Sequence, residues 1–337
     1  MPIPFIIAGV AAVAAGYGLK KGYDAYEDNN TANDYNKKAT ETYEEAQDAL
    51  NSMRTATNIN LEKLGELKLN IYKNNLGNFV ELFSKIKNID FDSQIEKDLK
   101  LGDLEPEDLL VIKNQVLKIE ELAGGTVTAL GSGALAGFGA FGGAGMLATA
   151  STGTAISSLS GVAATNATLA WFGGGSLAAG GLGMAGGTMI LGGIVAGPII
   201  AVAGGLLAAK AEKAKYDAIA NFDKANALAE EMKTARIVVK GIYIRVEEFI
   251  NVLTPLNDLF SKMLDKLEEI TSKHIDYKSY KKDEQEIVFI SLSIAKTVKN
   301  LCDTPIIDES GKITISSKKV LENTREFISN LEKKYNG

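Results

Sequence analysis

The sequence predicts an all-α protein: an elongated antiparallel helical bundle carrying a Gly/Ala-rich hydrophobic helical hairpin between its two long helices. Three observations predict it. Apolar residues recur at steps of three and four over long stretches on both sides of the chain's middle, which is the period of a helix-packing stripe. The 36 basic and 42 acidic side chains all lie outside residues 122–209. That 88-residue block holds 24 of the 34 glycines and one of the six prolines, so it cannot build a water-soluble surface alone. The chain therefore divides into an N-terminal apolar segment (1–23), the first half of the bundle (24–121), the uncharged hairpin (122–209) and the second half of the bundle (210–337).

Residues 3–19 are uncharged and precede Lys20 and Lys21. A secretory signal carries its basic residues before the apolar run, so this segment reads as a retained apolar helix. From about Asn29 to Asn88, Ala32, Tyr35, Ala39, Tyr43, Ala46, Leu50 and Met53 keep helical spacing. The stripe resumes through Leu61, Leu64, Ile71, Phe79, Leu82 and Ile86, with Gly65 and Gly77 as points where a long helix would bend. Gly102–Pro106 marks a turn, and Pro106 heads a further helix reaching Glu121.

Within the uncharged block, apolar arms at 127–150 and 169–209 flank a Ser/Thr-rich stretch at 151–168, the pattern of two arms joined by a polar tip. Thr188–Ala209 is the best membrane span: as a helix these 22 residues cover about 33 Å, against roughly 30 Å of bilayer hydrocarbon. Each glycine costs about 1 kcal/mol relative to alanine in a water-exposed helix, whereas in lipid it lets helices approach closely. Gly193, Gly197, Ala201 and Gly205 form a small-residue face beside Pro198. The residues assigned to membrane insertion are Ile190, Ile194, Val195, Gly197, Pro198, Ile199, Val202 and Leu206 in the second arm, Trp171 and Phe172 at its start, and Phe138 and Phe141 in the first arm.

Beyond the block, Ala225, Leu228, Met232, Ala235, Val239, Ile242, Val246, Phe249 and Leu253 alternate steps of three and four. Leu228, Met232, Val239, Ile242, Val246 and Phe249 are the core of this coiled-coil-like bundle seam. A helix over Ala211–Leu253 would be about 60 Å long, with the 29–88 helix as its partner, and Pro255 would end it. Further helices are expected at 256–273, 281–302 and 316–334. Pro305–Ile315 reads either as a small β-hairpin around Asp308–Gly311 or as a plain loop.

Composition excludes several chemistries. One cysteine, Cys302, and one histidine, His274, leave no disulfide framework, no cysteine zinc site and no paired-histidine metal centre. Gly137-x-Gly139-x-x-Gly142 and Gly181-x-Gly183-x-x-Gly186 follow no strand and precede no acidic residue about 20 positions on, so neither is a dinucleotide fingerprint. The acidic pairs Glu44/Glu45, Glu230/Glu231, Glu247/Glu248 and Glu268/Glu269 read as solvated helix faces, and Cys302 as a buried apolar residue. Lys210, Lys213 and Lys215 read equally as lipid-headgroup contacts and as surface lysines. A net charge of −6 argues against nucleic acid as a partner.

Two long amphipathic helices around one charge-free hairpin resemble α-helical pore-forming toxins of the cytolysin A type and the apolipoprotein L family. The stretch Ala163–Gly187 is similar to segments of bacterial membrane-active or defence-associated proteins. The resemblance is one of architecture and carries no functional residues over. It implies a non-enzymatic protein without cofactor, soluble until its hairpin enters a bilayer, with lipid and further copies of itself as partners. The alternative is a constitutively membrane-anchored helical scaffold that recruits another protein through the 225–253 seam.

Overall fold

A computed structural model describes residues 19–90, 104, 106–123, 132–142, 211–308 and 311–335. These residues form an all-α fold, with no strand among them. The helices are α1 (Leu19–Ile71), α2 (Gly77–Phe83), α3 (Pro106–Ala123), α4 (Ser132–Phe141), α5 (Ala211–Lys273), α6 (Lys282–Asp303) and α7 (Ile315–Tyr335). A π turn, Tyr72–Leu76, joins α1 to α2, so the weak point is the turn before Gly77, while α1 continues through Gly65. As expected, α3 begins at Pro106, where the missing N–H would have no partner, with Glu107 and Asp108 in its first turn.

Pro255 does not end its helix, contrary to expectation: α5 runs 63 residues with Pro255 inside. The proline and Asn251, whose carbonyl loses its donor, are both exposed, so that carbonyl is open to solvent. Val252, Leu253, Leu256 and Phe260, buried on either side, hold the helix in place across the gap.

The described residues fall into two compact units. The first comprises 19–54 of α1 and 211–237 of α5. Its buried residues are mostly small, Ala32, Ala39, Leu50, Ala218, Ala225, Leu228 and Ala229, and Tyr35 meets Phe222 with ring centroids 5.7 Å apart.

The second unit comprises the described residues of 55–142 and 238–335. Its centre is α6, where every residue from Val288 to Ala295 is buried. A Glu284 carboxylate oxygen accepts the Lys281 N–H at 2.9 Å and caps that helix. Phe79 packs against Phe83 and Phe260, with centroids 5.0 and 5.8 Å away. Lys296 of α6 pairs with Asp108 of α3 at 2.8 Å, and Glu248 of α5 lies between Arg245 at 3.2 Å and Arg325 of α7 at 3.5 Å. Glu247 accepts a hydrogen bond from Asn60. Of the four acidic pairs, Glu247/Glu248 is thus half-buried and partnered, and the other three are exposed.

Here the long helices are parallel rather than antiparallel. Asn60 meets Glu247, Asn75 Nδ2 donates to Asn257 Oδ1 at 2.8 Å, and Lys87 forms a parallel bridge with Asp276, so residue numbers rise together along both segments. Helices joined by short loops are forced antiparallel; a connection well over a hundred residues long imposes no such constraint.

Among the described residues, the segment before α7 forms no hairpin strands. A single antiparallel bridge joins Ile307 and Ile313. Ile306 gives its N–H to the Ala140 carbonyl at 2.7 Å, and both Ile306 and Ile307 are buried, so the segment serves the core.

Ile242 is 3% exposed, so Ile242→Ala is expected to lower unfolding free energy by about 2–5 kcal/mol, read from the urea midpoint. Ile237, 70% exposed, should change it by less than about 0.5 kcal/mol when truncated to alanine.

Candidate functional site

Among the described residues, helix α4 is the one that lies wholly in the uncharged block, and it belongs to the second unit. Leu135, Phe138, Ala140 and Phe141 are buried there, Phe138 to 1% exposure. The charge-free block and the bundle thus share buried residues at α4. Phe138 and Phe141, assigned from the sequence to membrane insertion, are core residues in this structure.

Docking is made backbone to backbone. A Cβ placed on Gly65 of α1 would lie 1.9 Å from the Leu135 carbonyl oxygen, and one on Gly139 would lie 2.1 Å from the Leu61 carbonyl oxygen. Each glycine therefore rests on the carbonyl four residues upstream of the other, a reciprocal crossing that no larger residue permits. Cα–H groups in such contact with carbonyls add weak attraction. Gly142 closes α4 with a left-handed φ of 63°, its N–H bonded to the Phe138 carbonyl at 2.9 Å. A side chain at Gly142 would strike the Asp303 carbonyl oxygen, 2.4 Å from the Cβ position.

Beneath α4 lies a polar cluster that the sequence reading did not identify. Lys68 of α1 is fully buried, and its Nζ donates to the Gly139 carbonyl at 3.0 Å. That ammonium stands 5.9 Å from the Phe138 ring centroid and 5.6 Å from that of Phe249. Burial pulls its pKa down to about 8, opposed in part by the neighbouring Cys302 and Asp303 side chains. Tyr72 donates to Asp303 Oδ1 at 2.5 Å, and Lys299 pairs with Asp303 Oδ2 at 2.8 Å. Burial first, then the Asp303 charge, pushes the Tyr72 hydroxyl well up; burial also pushes the Cys302 thiol up, keeping it protonated. The Cys302 thiol is buried and held in its unreactive protonated form.

The signal for Lys68 was present in the stripe: Leu61, Leu64 and Ile71 leave an apolar position vacant at 68, and a lysine fills it. Gly65 carried an ambiguous signal, since a bend and a close approach both require glycine.

Of the assigned seam residues, Leu228 is buried and Met232 half-buried in the first unit, while Val239, Ile242, Val246 and Phe249 are buried in the second. Ile190, Ile194, Val195, Gly197, Pro198, Ile199, Val202, Leu206, Trp171 and Phe172 lie outside the described residues, as does the 3–18 part of the N-terminal apolar run. Among the described residues, no helix is long and apolar enough to cross a membrane, and no group of acidic, histidine or cysteine side chains is placed to hold a metal ion. No protein-family model matches the chain, and no curated protein or solved structure matches it.

Gly65→Ala and Gly139→Ala should each displace α4, destabilise the second unit by about 1–3 kcal/mol or more, and speed limited proteolysis within 132–142. Gly241→Ala is the control: its Cβ would meet only the flexible Ile313 Cδ1, at 3.3 Å.

The lowered Lys68 pKa also sets a pH dependence. The unfolded chain holds the lysine proton up to its ordinary value of 10.5, the folded chain only to about 8, so the charge penalty is complete below pH 8 and is relieved as pH rises towards 10.5. The raised Cys302 and Tyr72 values act oppositely above about pH 9, so the comparison is made with Lys68→Met. The stability difference between variant and parent, from urea unfolding at pH 7 to 10.5, should shift by about 3 kcal/mol in the parent's favour.

Proposed function

We propose that the protein is a non-enzymatic membrane-active protein: a helical bundle holds one helix of an uncharged, glycine-rich block, and release of that helix lets the block enter a bilayer, with copies of the chain assembling around the lesion. The observation that carries this reading is α4 itself. It belongs to the charge-free block and yet sits in the bundle core, held mainly by apolar burial and a glycine crossing rather than by ion pairs of its own. Apolar burial of this kind can be exchanged for lipid at little loss, because hydrocarbon solvates Leu135, Phe138 and Phe141 as well as a protein core does. The scaffold alternative needs a free docking face at 225–253, and Val239, Ile242, Val246 and Phe249 are already buried within the chain.

Dye release from liposomes tests the proposal. The deletion must start after Gly142, since removing α4 would also unfold the core. Full-length protein should release dye, and a variant lacking 143–209 should fold and release none. Val195→Asp or Ile199→Lys should abolish release with the bundle intact, because a charge at mid-membrane costs roughly 2.5–3.5 kcal/mol on insertion scales. Equal leakage from the parent and the deletion variant would overturn the reading.

A further inference from the structure

The buried ammonium of Lys68 is hard to explain as a stabilising contact. Its neighbours are Phe138 and the Gly139 carbonyl from α4, Phe249 from α5, and Cys302 and Asp303 from α6. Asp303 is committed to Lys299 and Tyr72, and among the described residues no carboxylate stands within ion-pair distance of Lys68. One carbonyl and two ring faces replace the water an ammonium would otherwise bind. Two of these, the Phe138 ring and the Gly139 carbonyl, belong to α4.

We propose that Lys68 is a built-in bias towards release: α4 is the lid over a dehydrated ammonium, and every departure of α4 lets water reach that charge. Docked and hydrated states of Lys68 exclude each other, so the glycine crossing and the apolar contacts of α4 hold the lid shut against a standing opposing force. A methionine at 68 would fill the same volume without the charge and would lock the lid. The extension from lid opening to membrane activity rests on the function proposed above.

Hydrogen exchange of the 132–142 amides in the full-length protein measures lid opening. Lys68→Met should slow exchange there about tenfold or more, with amides of the first unit unchanged. Lys68→Gln, which keeps a donor for the Gly139 carbonyl without a charge, should slow it as well and guards against a packing fault specific to methionine. Unchanged or faster exchange in both variants would overturn the proposal and make Lys68 a clasp. Dye release then separates the two ideas. Slowed exchange with slowed leakage supports the extension to membrane activity. Slowed exchange with parental leakage refutes that extension and leaves the lid standing. If the parent protein itself causes no leakage, the proposed function fails while the exchange data still judge the lid.

Discussion

Two missing side chains, at Gly65 and Gly139, set the geometry on which the core of the second unit depends. Because neither helix carries a Cβ at the crossing, α4 can lie directly on the α1 backbone. Only from that depth does the Gly139 carbonyl come within 3.0 Å of the Lys68 ammonium and the Ala140 carbonyl within 2.7 Å of the Ile306 N–H. The same approach seats Gly142 against the last turn of α6, where Asp303 gathers Tyr72 and Lys299. One contact between α1 and α4 thereby fixes the placement of α6 and of the segment leading into α7.

Much of the fold was legible in periodicity. The stripes on α1 and α5, the start of α3 at Pro106, and the helices after residue 281 all follow from spacing and caps, which are local properties. What was not legible depended on distant partners. Pro255 reads as a terminator because its local effect is adverse; buried Leu253 and Leu256 outweigh it, and their burial depends on partners distant in the chain. The relative direction of α1 and α5 leaves no trace in either stripe, since a heptad-like seam reads alike in both directions.

The candidate site shows the same division. Glycine content marked 122–209 as unusual without distinguishing the part that packs in the protein from the rest, because close packing in a protein core and in lipid asks for the same small residues. Lys68 was visible only as a polar interruption of an apolar stripe. Its meaning came from the α4 carbonyl and rings 70 and more positions along the chain.

The parallel pairing in the second unit has a consequence for the order in which the protein can form. Asn60 and Glu247 meet across a sequence separation of 187, so the inner face of α1 has no α5 to cover it until the far half of the chain has been made. At about 5–20 residues per second, synthesis leaves that face waiting roughly 10–40 s, while the whole uncharged block leaves the ribosome ahead of α5, α6 and α7. During that interval α4 can settle on α1 through the glycine crossing, but Phe249, Cys302 and Asp303 do not yet exist to close the pocket around Lys68. The nascent chain is thus at its most apolar and least protected in mid-synthesis, the stage at which a chaperone or a nearby bilayer competes for it on the best terms.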